Sequence, residues 1–319
     1  MNRRAFLLGL GGLAAGASGC ARKEGIPGVL RLGFITRLSD VPVFAALESG
    51  RLAAALPHLR IETRVFRAGP RVTEALLGGA IDVGTTGPAP LVATHVRHAG
   101  APIAVVSGLC SGGASFVTLR GIRDAIDLRG KVVATPQIGS TTDVALRKWL
   151  AENGQRPVDQ GGTIKVEALA PANILAEMKR GNIAGAWLPE PWPTRIVREL
   201  GARRHLDERE VWPGRRFPTG LVAVRRGFLE TRPADVAGVV SVLGAEIDRA
   251  NADPVAARAV ARSELLRLAR MKMSDAVLAE AMSYADFTRD PLPDQLAAFA
   301  RDVERLGYAP SSSIAGLIT

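Results

Sequence analysis

The residues best suited to chemistry in this chain are hydroxyls and glycines standing where helical patterns begin. In GAIDVGTTGPAPLVA (79–93) an alternating strand runs into Thr85-Thr86-Gly87, then Pro88 and Pro90, then an apolar helical start. A helix N-terminus carries free N–H groups and roughly half a positive charge, so it can seat phosphate, sulfonate or carboxylate. Pro88 suits the first helical turn, where its missing N–H has no partner to lose. Thr85, Thr86 and the amides of Gly87 and Ala89 can then face a ligand, while Thr86 as a simple helix cap is the plainer alternative. Gln137 followed by Gly139-Ser140-Thr141-Thr142 places three successive hydroxyls before another helical pattern. Ser39-Asp40-Val41-Pro42 opens a helix in a corresponding way, and Asp40 there is most simply an N-cap. Pro189-Glu190-Pro191-Trp192-Pro193 fixes an extended segment at a strand end. Trp192 can offer an apolar cover, and Glu190 can accept a hydrogen bond or pair with Arg195.

Other chemistries find little support. His95 and His98 lie at i, i+3 without a cysteine or carboxylate at ligand spacing, so surface histidines are expected and no metal. There is neither a G-x-S-x-G elbow nor a P-loop lysine motif. The net charge of +10 comes from scattered arginines, and aromatics are only 5%, so nucleic acid is not an expected partner. No obvious arginine clamp stands out, which points to neutral donors around an anion. No cofactor is expected.

The elements that must position these residues alternate along the chain. Strands are expected at 29–35, 59–66, around 81–86 and from Pro102, with helices between them, in a βαβα rhythm. The rhythm pauses at Ser111-Gly112-Gly113 and restarts with SFVTL, GKVVATP, a helix through 140–154, TIKVEALA, a helix in 172–182 and AGAWL. A strand near 219–229 follows, and from Pro233 onward the pattern is almost wholly helical. Two α/β units joined by two crossings imply a cleft, with ligands beyond the carboxyl ends of the strands.

The first twenty residues, MNRRAFLLGLGGLAAGASGC, describe an export signal of twin-arginine type, too short to span a bilayer. Ala17-Ser18-Gly19-Cys20 resembles a lipobox, with Cys20 as the lipidated residue, although alanine replaces the usual leucine. Cys110 then remains alone, so an internal disulfide is excluded and a small core residue is expected.

GAIDVGTTGPAP (79–90), DLRGKVVATPQIGST (127–141) and GNIAGAWLPEPWPTRI (181–196), in this order behind an export signal, resemble the nitrate/sulfonate/taurine family of periplasmic solute-binding proteins. The resemblance covers about residues 29–230. It implies a two-lobed periplasmic-binding-protein fold of type II, each lobe a doubly wound sheet flanked by helices, with a helical C-terminal tail. The expected division is a signal at 1–20, one lobe from 28–110 plus 221–319, and a second from 111–220. The implied function is capture of a small anionic solute, an aliphatic sulfonate or taurine-like, and delivery to an ABC permease with its ATPase; no chemistry is performed. A lipid anchor in the membrane and a monomeric state complete the expectation. The resemblance places ligand contacts at Ser39, Asp40, Val41, Thr86, Gly87, Ala89, Gln137, Ser140, Thr141, Thr142, Glu190 and Trp192. Nitrate, bicarbonate or a small heterocycle as solute, a sensory receptor, and an enzyme similar to the thiamine-pyrimidine synthases stay open. The last lacks its cysteine-rich run here.

Overall fold

The computed structural model describes residues 26–98 and 102–319. The expected signal at 1–20 and Cys20 lie outside the described residues. Among the described residues there are eleven strands: β1 (Val29–Ile35), β2 (Arg60–Phe66), β3 (Val83–Thr86), β4 (Ile103–Gly112), β5 (Ala114–Thr118), β6 (Val132–Thr135), β7 (Lys165–Ala168), β8 (Gly185–Pro189), β9 (Arg203–Asp207), β10 (Gly220–Arg225) and β11 (Ala285–Phe287). They form two sheets, ordered β11-β4-β10-β3-β1-β2 and β7-β6-β8-β5-β9. Each sheet with its helices is a lobe. The fold class is therefore the two-lobed α/β arrangement expected from the sequence.

Burial explains the strand composition. β1 is almost continuously buried between its neighbours, as its apolar run VLRLGFI requires. β2 closes the sheet and leaves most of its side chains exposed or half-buried, so its charged alternation RIETRVF is tolerated there.

Neither sheet is purely parallel. β1 pairs in parallel with β2 and β3, and β6 with β7 and β8. β10 runs antiparallel to β3 and β4, and β5 antiparallel to β8 and β9. β5 continues directly from β4 out of the other lobe, and β10 likewise follows the return from β9. A strand that arrives across the cleft begins at the cleft, whereas its neighbours end there. It must therefore run against them.

The first crossing turns at Gly112 and Gly113, both in the left-handed region at φ 70° and 79°. A Cβ on Gly112 would stand 2.6 Å from Arg209 Cδ, so the return segment passes against this backbone. Gly112 donates its N–H to Phe217 O at 2.9 Å, and Gly113 donates to Tyr284 O at 2.6 Å. The return segment is pinned in turn by Trp212 and Phe217, stacked at 4.6 Å, with Phe299 edge-on to both. Phe116 stacks on Trp187 at 5.7 Å and lies 5.0 Å from Trp149 in the core of the second lobe. Cys110 is buried in the apolar core of the first lobe.

The C-terminal region is helical, as expected, over Pro233–Ala252, Pro254–Ala269, Asp275–Met282 and Pro293–Arg305. It also supplies β11, which the sequence pattern did not reveal. β11 is three residues long and pairs with the cleft end of β4. β9, rich in arginine and histidine, escaped the apolar pattern for the same reason: it lies at a sheet edge.

Candidate functional site

Three strand ends of the first lobe and three helix starts converge on one cavity of about 50 Å³. At roughly 10–15 Å³ per water, that is room for about four waters or one compact oxyanion group. From the first lobe the lining comes from Ile35, Arg37, Arg67, Ala68, Gly69 and Gly87, with Thr219 from the return segment. Across from them stand Pro136, Ser140, Thr141, Thr142 and Pro189. Both lobes thus build one site.

Two of the helix starts are uncapped. Gly87 is the N-cap of the helix Pro88–Arg97 and Ala68 that of Gly69–Leu77, and neither has a side-chain cap bond. Pro70, Pro88 and Pro90 have no N–H and the Ala89 N–H goes to Thr141, so the donors left for an anion are the Gly69 and Gly87 amides. The third helix, Thr141–Glu152, is capped: Ser140 Oγ accepts from the Asp143 amide at 3.3 Å and lies 3.1 Å from Thr142 Oγ1. Thr141 reaches across the cleft, where its Oγ1 accepts the Ala89 N–H at 3.3 Å. The two lobes are therefore closed on each other at this point.

Arg37 is the residue the sequence reading missed. It stands two positions beyond the end of β1 and is only 7% exposed. Its Nε donates to Asp40 Oδ2 at 2.7 Å and its Nη1 to Thr219 O at 3.3 Å. Its Nη2 is buried without a hydrogen-bond partner. Thr86 Oγ1, at the end of β3, is likewise buried and unpartnered. A Cβ on Gly69 would lie 2.5 Å from that oxygen, so only glycine lets the first turn of its helix approach. An unmet buried polar atom costs about 1–3 kcal/mol, and more when charged. Of the two residues Arg37 lines the cavity, whereas Thr86 does not, and neither does Ala89, whose amide is taken by Thr141. The signal that finds Arg37 and Arg67 is the one that found Thr86, a position just past a strand end. The expectation of neutral donors alone is corrected.

Other candidate residues are placed elsewhere. Asp40 occupies an N-cap position but makes no cap bond. Its carboxylate instead holds Arg37 and accepts the Thr85 hydroxyl. Ser39 Oγ lies 3.4 Å from Asp40 Oδ2, and Val41 is buried in the core. Gln137 is half-buried, and its carbonyl accepts the Ser140 amide at 3.1 Å. Trp192 packs in the apolar core with Arg195 over its ring at 5.3 Å. Glu190 is fully buried; it accepts from Arg204 Nη1 at 2.7 Å and from the Thr194 amide at 3.2 Å. None of these six residues lines the cavity. Pro189 takes the place expected of its neighbour, because the Glu190 carboxylate is turned into the second lobe by Arg204. Asp143 is also committed, to Arg147, the Gly139 amide and the Tyr308 hydroxyl.

His95 is buried rather than superficial: its Nε2 lies 3.0 Å from Ala315 O, and desolvation lowers its pKa. His98 Nδ1 lies 2.9 Å from Thr94 O. Among the described residues no group of three His, Cys, Asp or Glu side chains is placed to hold a metal ion.

A sequence model of the NMT1-like family matches residues 27–264. The chain belongs to this family. The NMT1-like chain is also 26% identical over 174 residues to the taurine-binding periplasmic protein of Escherichia coli (strain K12), an alignment covering 54% of this chain and 52% of that one. It thus spans about half the length of that relative. In structure it resembles the alkanesulfonate-binding protein of Xanthomonas axonopodis pv. citri bound to MOPS. There the TM-score is 0.75 at 21% identity, covering 93% of this chain and 99% of that one. It also resembles the periplasmic nitrate-binding protein of Synechocystis PCC 6803, with TM-score 0.74 at 17% identity, covering 90% and 83%. The fold of this NMT1-like protein is that of the periplasmic binding proteins.

Two expectations follow from the site. Gly87 has φ −91°, which alanine adopts freely, yet its Cβ would collide with Thr141 Oγ1 across the cleft. Gly87→Ala should fold normally and hold the lobes apart, giving a larger radius of gyration in small-angle scattering; an unchanged radius would refute that closure. Behind Thr219, the fully buried Glu208 accepts from its hydroxyl at 3.4 Å. Burial, reinforced by Asp207, pushes the Glu208 carboxyl up to about 8. The folded state then holds this proton more tightly than the unfolded chain, so stability is full below about pH 4.5 and falls as pH rises towards 8. Between pH 5.5 and 8 the loss should be about 3 kcal/mol. Glu208→Gln should flatten it in a series of melting curves. The slope left over belongs to Glu190, whose carboxyl burial raises to about 7 against the pull of Arg204.

Proposed function

We propose that this chain is the extracytoplasmic solute-binding component of an ABC importer, taking a small anion, foremost an aliphatic sulfonate, into the cavity between its lobes. The observation that carries the reading is Arg37 Nη2, buried and unpartnered beside two uncapped helix starts. An oxyanion offers several acceptor lone pairs, and a guanidinium fork with helix amides can meet them together. The relatives that bind taurine and alkanesulfonates support the sulfonate class. The compact cavity supports nitrate as a second reading, in keeping with the nitrate-binding structural neighbour.

Closure is the working step. Lobes 28–110 plus 221–319 and 111–220 swing about the crossings at Gly112-Gly113 and near 216–222. A ligand stabilises the closed form only by touching both lobes at once. The hydroxyls of Thr141 and Thr142 on one side and Arg37 with Gly87 on the other provide that. The closed, loaded protein is the form presented to a permease and its ATPase. No step of this cycle changes a covalent bond, so the protein acts as a monomeric receptor and not as an enzyme. Export by the twin-arginine route and lipidation at Cys20 would keep it at the membrane surface.

Calorimetric titration of the mature chain with ethanesulfonate and with nitrate tests the reading. Arg37→Lys keeps the charge beside Asp40 but removes the fork. It should weaken binding about tenfold or more, the loss of one charged hydrogen bond, with little change in melting temperature. Undiminished affinity in that variant would remove the proposed site. Cys20→Ser should shift the exported protein from the membrane to the soluble fraction; retention at the membrane would overturn the anchor.

A further inference from the structure

Arg67 is the second arginine of the cavity, and it has a different character from Arg37. Ile35 and Phe66 are register partners in β1 and β2, and Arg37 and Arg67 follow these paired strand ends into the same cavity lining. Arg37 is buried, whereas Arg67 is exposed at the mouth. Arg60 pairs with Glu62 and Arg71 with Glu74, while Arg64 is exposed on β2 and does not line the cavity. Arg67 has no hydrogen bond or ion pair among the described residues. No carboxylate lines the cavity. Of the nearby acids, Asp40 is taken by Arg37, Asp143 by Arg147 and Glu190 by Arg204, and Glu208 is buried behind Thr219 without lining the cavity.

We infer that the solute is a short dianion, with one oxyanion group seated at Arg37 and a second anionic group held at the mouth by Arg67. This rests on the reading of the cleft as a solute site. The cavity of about 50 Å³ has room for a compact head group and is open at the mouth, where Arg67 stands. An ammonium there, as in a zwitterion such as taurine, would meet a free guanidinium and no acid. A carboxylate there would pair the one arginine at the mouth of the cavity that has no acidic partner.

Calorimetry with three probes sharing the same head group separates the possibilities: ethanesulfonate, taurine and sulfoacetate. Sulfoacetate should bind most tightly and taurine most weakly. Arg67→Gln should lower sulfoacetate affinity about fivefold, the upper range for a solvent-exposed ion pair, and lower ethanesulfonate affinity by less, so that the ratio between the two falls. Because Arg67 is exposed and unpaired, that variant keeps the fold. Equal binding of ethanesulfonate and sulfoacetate, or an Arg67→Gln variant that preserves their ratio, would overturn the dianion while leaving the solute-binding reading in place. Absence of binding by every anion, with nitrate included, would overturn both.

Discussion

A strand that enters a lobe from the other side of the cleft must begin at the cleft, and this constraint organises the molecule. β5 and β10 each insert antiparallel into a sheet whose remaining central strands end at the cleft. Those strand ends, with the helix starts that follow them, consequently face one another across a single gap. Residues far apart in the chain, Arg37, Arg67, Gly87, Thr141 and Thr219, line one cavity for that reason. Gly112 and Gly113 are where the chain meets the constraint, since the turn from β4 into β5 uses two successive left-handed residues.

Charge follows from the same geometry. Uncapped starts of the helices Gly69–Leu77 and Pro88–Arg97 bring partial positive charge to the gap, and two arginines add whole charges. No acid lines the cavity wall: Asp40, Asp143 and Glu190 are turned into ion pairs, and Glu208 lies behind Thr219. Asp40 serves as the counter-ion that allows a guanidinium to be buried at all. Its pairing leaves one edge of Arg37 unmet, as Thr86 Oγ1 is unmet.

The C-terminal region does more than cover the first lobe. β11 pairs with the cleft end of β4, Tyr308 donates to Asp143 of the second lobe, and the Arg204 guanidinium lies 3.6 Å above the Tyr284 ring. Trp212 and Phe217 on the return segment are clamped against Phe299 of the last long helix. The crossings therefore move, when they move, as packed segments held by the tail.

The sequence by itself determined the elements and the family. β1 falls on the apolar run that marks it, the helices after Gly87 and Ser140 begin where proline and hydroxyls announce them, and the three ordered motifs point to the relatives found. Periodicity and capping are local, so they are legible in a single chain. Tertiary structure alone decided which polar residues face the cavity. Glu190 and Trp192 sit in a Pro-rigid segment at the right strand end, yet Arg204 and an apolar core draw their side chains into the second lobe. Arg37 and Arg67 look like two of many scattered arginines until the pairing of β1 with β2 brings both strand ends to one cavity. Side-chain direction depends on partners supplied by distant segments, and no local pattern of residues encodes those partners.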